Sequence, residues 1–224
     1  SQGTGVHRLS SIALVRDRMR ETLASVDGPA LTIGGDCGVE LGAIEHVVND
    51  DVAVVWFDAH PDLNTPESSP SGAFNGMVLR TLLGDGPDSL VPPVTVDSAR
   101  LVLAGTRAFD PDEETLIASR GIPVIPAERV DAAALVAAVE ATGASAVYIH
   151  VDLDVLDPAD IDGLGYPEPF GVRAAVLSET IRALVAQFPL VGAGITEFAP
   201  ATLAAAVDDM PTILRLIGAL TSAT

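Results

Sequence analysis

Lysine is absent from the 224 residues, and all 12 basic side chains are arginines. Schiff-base and pyridoxal enzymes and Walker-type nucleotide cradles each require a lysine amine, so those classes are excluded. Cysteine occurs once, at Cys37, which rules out an internal disulfide and fits a reducing, cytoplasmic setting. No apolar run approaches the roughly 20 residues of a membrane span, and no charged segment followed by an apolar one opens the chain. Positive charge is scarce against 31 acidic residues, which leaves a net charge of −19. Nucleic acid and anionic membrane are therefore poor partners, and a metal or a small cationic ligand is a good one. The first residue is Ser1 rather than Met, which reads as an incomplete chain.

With 48% hydrophobic residues, the chain is long enough for one domain, taken as 1–224, and short for two. Apolar β-rich runs at Ala30–Ile33, Val52–Phe57, Leu101–Ala104, Pro123–Ile125, Ala146–Val151 and Leu190–Ile195 read as buried strands. Helical patterns fall between or after them at Leu9–Leu23, Val39–Val48, Gly76–Leu83, Asp112–Ala118, Ala132–Glu140, Ala174–Gln187 and Val207–Leu220, with Asp131 as an N-cap. Such alternation predicts a three-layer α/β/α sandwich on a mainly parallel sheet. Two irregular stretches, Pro61–Phe74 and Asp157–Gly171, each follow an acidic run and read as pocket walls rather than linkers. His7 and His46 read as helix-surface residues.

Five carboxylates and a histidine lie on three short runs, Asp58-Ala59-His60-Pro61-Asp62, Asp152-Leu153-Asp154 and Gly34-Gly35-Asp36-Cys37, each just after a strand. Hard oxygens converging on one spot repel unless cations sit between them, so the composition is that of a binuclear metal site. Strand alternation would put Asp58 with His60, and Asp152 with Asp154, on one side. Cys37, Asp58, Asp152 and Glu197 all fall at or beyond the carboxyl ends of strands, the edge where open α/β sheets bind ligands. Plainer readings exist for each. Asp152 and Asp154 would be turn residues, Cys37 a small buried hydrophobe or a nucleophile, Glu197 a helix N-cap, and His150 a core histidine or a residue behind the ligands.

Gly34-Gly35-Asp36-Cys37, Asp58-Ala59-His60-Pro61-Asp62 with Asn64-Thr65-Pro66, Ser71-Gly72, His150-Val151-Asp152-Leu153-Asp154-Val155-Leu156-Asp157-Pro158, and Glu197 with Pro200 resemble the ordered motifs of the arginase/agmatinase/formimidoylglutamase superfamily. That resemblance runs from about Ala30 to the C-terminus, and it implies a first strand upstream of Ser1. It implies two Mn²⁺ ions sharing a hydroxide that attacks a guanidino or amidino carbon, held by Cys37, Asp58, His60, Asp62, Asp152 and Asp154. It also implies Asp62 as proton relay, Glu197 as partner of the cationic substrate head, Asn64, Ser71 and Asp110 as contacts to the substrate's far end, and a homo-oligomer, trimer or hexamer.

Two departures stand out. Cys37 and Asn75 occupy positions where this superfamily carries histidine. A thiolate admits Zn, Fe or Co as readily as Mn, and an amide cannot shuttle a proton. A hydroxyguanidine needs less acid assistance, so an Nω-hydroxyarginine amidinohydrolase is an alternative activity. A catalytically impaired subunit with a structural or regulatory role is an alternative of another class. Specificity is expected to lie in Pro61–Phe74, Phe109–Glu114 and Asp157–Gly171, with Tyr166 and Phe170 narrowing the pocket.

Overall fold

The computed structural model describes residues 3–222. Six strands, β1 (Ala30–Ile33), β2 (Val52–Phe57), β3 (Leu101–Ala104), β4 (Val124–Ile125), β5 (Ala146–Asp152) and β6 (Leu190–Thr196), form one sheet in the order β1-β6-β5-β2-β3-β4. Every pairing in it is parallel. All six strands therefore point their carboxyl ends at one edge.

Two apolar layers cover the sheet, and the period of two along the strands assigns residues to them. Ala53, Val55 and Phe57 of β2 join Val147, Ile149 and Val151 of β5 on the side of α5 (Ala132–Thr142), α6 (Ala174–Gln187) and α7 (Leu203–Leu220). Val52, Val54 and Trp56 face the other way with Tyr148, toward α1 (Leu9–Leu23), α2 (Glu40–Val47), α3 (Val78–Leu82) and α4 (Pro111–Arg120). β2 is buried along its whole length, which explains its unbroken apolar sequence.

The expected elements are all present, with shifts at their ends. α7 begins at Leu203 rather than Val207, because the Thr202 side chain accepts from Ala205 N and starts the helix one turn early. α4 runs from Pro111 to Arg120, opened by a capping box in which Asp110 and Glu113 satisfy each other's backbone N–H groups. Asp131 caps α5 by accepting from Ala134 N. His7 precedes α1 rather than lying on it, and its N–H donates to Gly72 O at 2.8 Å. No helix among the described residues is long and apolar enough to cross a membrane.

One packing feature prepares the site. Glu40, the first residue of α2, is fully buried across β6, where a Cβ on Gly194 would lie 1.7 Å from its Oε1. Tyr148 Oη donates to Glu40 Oε2 at 2.6 Å and fixes the carboxylate there. Gly194→Ala is expected to lower unfolding free energy by about 1–3 kcal/mol through overpacking. Gly218→Ala, on an exposed turn of α7 with open space around it, should instead gain about 1 kcal/mol of helix propensity. Urea denaturation of the two variants checks the contrast; equal stabilities would refute this account of the α2–β6 contact.

Candidate metal centre

Asp58 follows β2 directly. Its Oδ1 accepts from His60 N at 2.6 Å and its Oδ2 from Trp56 Nε1 at 3.0 Å. On β5, the Asp152 Oδ1 accepts from Asp154 N at 2.8 Å and opens a tight turn over Leu153–Val155. Asp154 Oδ1 then accepts from Ala59 N at 3.0 Å, tying the two loops together, and His60 Nδ1 lies 2.9 Å from Asp154 Oδ2. Strand alternation is thus not what brings these pairs together. Each leading aspartate caps its own turn, and the turn swings the second ligand inward.

On the third run, Asp36 accepts from Gly38 N at 2.9 Å and remains exposed, so it is a cap rather than part of the acidic cluster. The cap turns Cys37 into the interior, with Sγ 3.0 Å from Asp152 Oδ2. Two groupings of ligand atoms result, each with all members within 4.8 Å of one another: Cys37, Asp58, His150 and Asp152, and Asp58, His60 and Asp154. Asp58 belongs to both. Asp62 belongs to neither but lines the same pocket, held at φ 53° with its Oδ2 buried and without a hydrogen-bond partner.

Electrostatics show what the cluster lacks. Burial raises the carboxyl pKa values of Asp62, Asp152 and Asp154, and the Asp58 charge raises them further. Asp58 itself stays ionised: burial opposes this, but His150 and His60 hold it below the usual carboxylate range. His60 is pushed up to about 11 despite its burial, through Asp154 and Asp58. The Cys37 thiol is driven up by burial and then by Asp152, Asp62 and Asp58, the opposite of what a nucleophilic thiol needs. Hard oxygens, imidazole and a thiol around an unpartnered buried carboxylate oxygen form a donor set that fits divalent metal.

The pocket above this floor encloses about 240 Å³. Asn64 and Asp110 meet in one wall, Asn64 Nδ2 donating to Asp110 Oδ2 at 2.8 Å. Ser71 lies in the same wall, its Oγ accepting from Ala73 N. Glu197, also lining the pocket, follows β6 at φ 64° and accepts from Asn75 Nδ2 at 3.3 Å. Its backbone N–H donates to Gly35 O, and α7 is capped by Thr202, so Glu197 is not a helix N-cap. Burial, then Asp36, raises its pKa. Tyr166 lines the mouth, whereas Phe170 is 85% exposed and not among the lining residues, contrary to expectation.

Three contributors were not foreseen as such. His150, expected to lie behind the ligands or in the core, has its Nε2 3.7 Å from both Cys37 Sγ and Asp58 Oδ2. Its position two residues before Asp152 on one strand was the available signal. Glu113 accepts from Leu63 N and Asp110 N and braces two walls at once. Arg107 donates to the carbonyls of Gly105, Asp154, Val155, Leu156, Glu168 and Pro169, binding the Asp154 turn to the 157–171 loop. No sequence pattern marks an arginine whose partners are all backbone.

Acidic ligands gathered on the carboxyl edge of a parallel sheet and walled in by its loops define an α/β protein with a buried metal-binding cluster. The Arginase family model, described as "Arginase family", matches residues 3–210. Arginase from Entamoeba histolytica is 35% identical over 184 residues, covering 75% of this chain and 62% of that protein. Arginase from Bacillus caldovelox is 32% identical over 181 residues, 73% of this chain and 60% of that one. The crystal structure of Entamoeba histolytica arginase in complex with L-ornithine superposes with a TM-score of 0.89 at 31% identity, covering 97% of this chain and 78% of that one. The chain belongs to the Arginase family. It spans about three-fifths of the length of the curated relatives it matches.

A pH dependence follows with a definite sign. Asp62, Asp152 and Asp154 have folded pKa values above their unfolded ones, as does His60. Groups raised in this way stabilise at low pH and lose that contribution as pH climbs through the folded value, whereas the lowered Asp58 contributes its change only in the acid range. Chelator-treated protein is expected to lose thermal stability between about pH 5 and about pH 8. With excess Mn²⁺ the trend should reverse, because ligands release protons to bind metal. Melting curves across that range decide it, and parallel profiles with and without metal would contradict the assignment of the cluster.

Proposed function

We propose that this protein is a binuclear metal-dependent hydrolase of linear C–N bonds in guanidino or amidino substrates. The observation that carries this reading is the pair of candidate ligand groupings joined at Asp58 beside a pocket lined also by Glu197, Asn64 and Asp110. Cys37, Asp58, His60, Asp62, Asp152 and Asp154 would hold two divalent ions, with Mn²⁺ favoured by the family and Zn, Fe or Co admitted by Cys37. Bound cations would acidify a shared water and polarise the carbon under attack.

The chain's own groups supply the remainder. Glu197 would pair with the guanidinium. Its backbone is left-handed, and such strain persists where surrounding structure enforces it. Asp62, with one oxygen free of hydrogen bonds, would take the proton of the attacking water and return it to the leaving amine. Asn64, Ser71 and Asp110 would hold the substrate's far end. The Entamoeba histolytica structure was solved with L-ornithine, an amino acid, which supports a ligand of that kind here.

Asn75 supports a second reading of the substrate. Its amide is bound to Glu197 and offers no titrating proton, so a hydroxyguanidine, whose leaving group needs less acid, would be turned over better than a guanidine. The reading includes a cytoplasmic homo-oligomer, trimer or hexamer, for which exposed Leu203, Val207 and Leu214 on α7 offer apolar surface.

Mn²⁺-loaded protein is expected to release urea from L-arginine or hydroxyurea from Nω-hydroxy-L-arginine. Asp62→Asn should lower kcat by roughly 10²–10⁴-fold, the scale of general acid–base assistance, while Glu197→Gln should act mainly on KM. Light scattering of the same preparation reports the assembly. Fully metal-loaded protein that is inert toward arginine, hydroxyarginine, agmatine, guanidinobutyrate and formimidoylglutamate would leave the impaired-subunit reading in its place.

A further inference from the structure

We propose that His150 is a direct metal ligand beside Cys37, and that Glu40 fixes the tautomer in which it binds. The inference rests on the metal-centre reading above and adds a nitrogen donor to the ligand set Cys37, Asp58, His60, Asp62, Asp152 and Asp154.

Geometry carries it. His150 precedes Asp152 by two residues on β5 and shares its side of the sheet. The imidazole is fully buried and stacked on Trp56, ring centroids 3.6 Å apart, so its orientation is fixed. Nε2 lies 3.7 Å from Cys37 Sγ and 3.7 Å from Asp58 Oδ2. Sulfur at about 2.3 Å and nitrogen or oxygen at about 2.0–2.1 Å from a tetrahedral ion stand about 3.4–3.6 Å apart. Sγ lies 3.0 Å from Asp152 Oδ2 and 4.0 Å from Asp58 Oδ2, on either side of that spacing.

The far side of the ring gives a second, independent observation. His150 Nδ1 is buried with no hydrogen-bond partner, and Glu40 Oε1 is buried with none either. The two face each other at 3.8 Å. Glu40 cannot swing elsewhere, because Tyr148 holds Oε2 and the backbone of Gly194 closes off Oε1. A small approach makes Nδ1–H donate to Glu40, which leaves the Nε2 lone pair aimed at Cys37, Asp58 and Asp152. Carboxylate–histidine–metal triads are built in this way.

The two halves of the centre then differ in chemistry. Thiolate and imidazole with two carboxylates suit Zn²⁺ or Co²⁺, whereas Asp58, His60 and Asp154 form the harder site that suits Mn²⁺. The alternative is a purely structural role, in which His150 is an imidazolium held between Glu40 and Asp58 and touches no metal.

Co²⁺ substitution of the full chain separates the two. Wild-type protein is expected to bind about two ions per chain and to show thiolate-to-cobalt charge transfer, with X-ray absorption fitting about two imidazoles across the pair. His150→Gln should retain about one ion and lose the charge-transfer band. Glu40→Gln should keep both ions while weakening one by roughly 10–100-fold. Wild-type absorption fitted by a single imidazole, or His150→Gln with both ions and an unchanged spectrum, would overturn the proposal and leave the hydrolase reading standing. Wild-type protein that binds no ion would remove both. The wild-type absorption measurement decides the matter even if His150→Gln does not fold.

Discussion

Carboxylates crowded into a low-dielectric floor repel one another, and the structure is organised around that repulsion. Asp58, Asp62, Asp152 and Asp154 are all buried at the carboxyl edge of one sheet. The protein offsets part of their charge itself, with Trp56 and His60 N–H groups on Asp58, Ala59 N–H on Asp154, and the rings of His60 and His150 between them. What remains uncompensated shows in the raised carboxyl pKa values and in an Asp62 oxygen with nothing to accept from. A fold that spent this much burial on anions without cations to follow would be badly destabilised. The fit of this cluster to metal is therefore read from its electrostatics as much as from likeness to arginases.

Much of the fold was legible because a wholly parallel sheet buries its strands on both faces and writes them as unbroken apolar runs. β2 and β5 show this: Val52–Phe57 and Ala146–Val151 contain few polar residues, and their bounds came out within a residue. Helix starts were harder. α7 opens on Thr202 and a run of small residues with no apolar periodicity, so only the side-chain cap marks its beginning.

The site was legible in composition but not in mechanism of assembly. The residue types and their order identified the metal cluster, while the pleat argument for their convergence failed, because both acidic runs leave the sheet and turn on their own side-chain hydrogen bonds. Asp36 looked like a fifth acid of the cluster and is a cap. His150 looked like background and faces the cluster. The acidic pairs and Asp36 share a cause, a local turn that decides which way a side chain points and is not visible as periodicity, whereas His150 follows the strand's own period of two.

The two ends of the 157–171 loop are fastened by different parts of the structure. Arg107 holds its far end through the Glu168 and Pro169 carbonyls, and Asp209 of the last helix accepts from Asp162 N and Gly163 N at its near end. Tyr166 stands between these moorings at the rim. Arg107 also donates to the Asp154 carbonyl and so ties the far end to the floor, whereas the near end answers to the final helix: drift in the packing of that helix can move the aromatic rim and alter which molecules enter, while the charge pattern below stays as it was. Divergence of substrate choice on a constant chemical base is the evolutionary freedom such an arrangement grants.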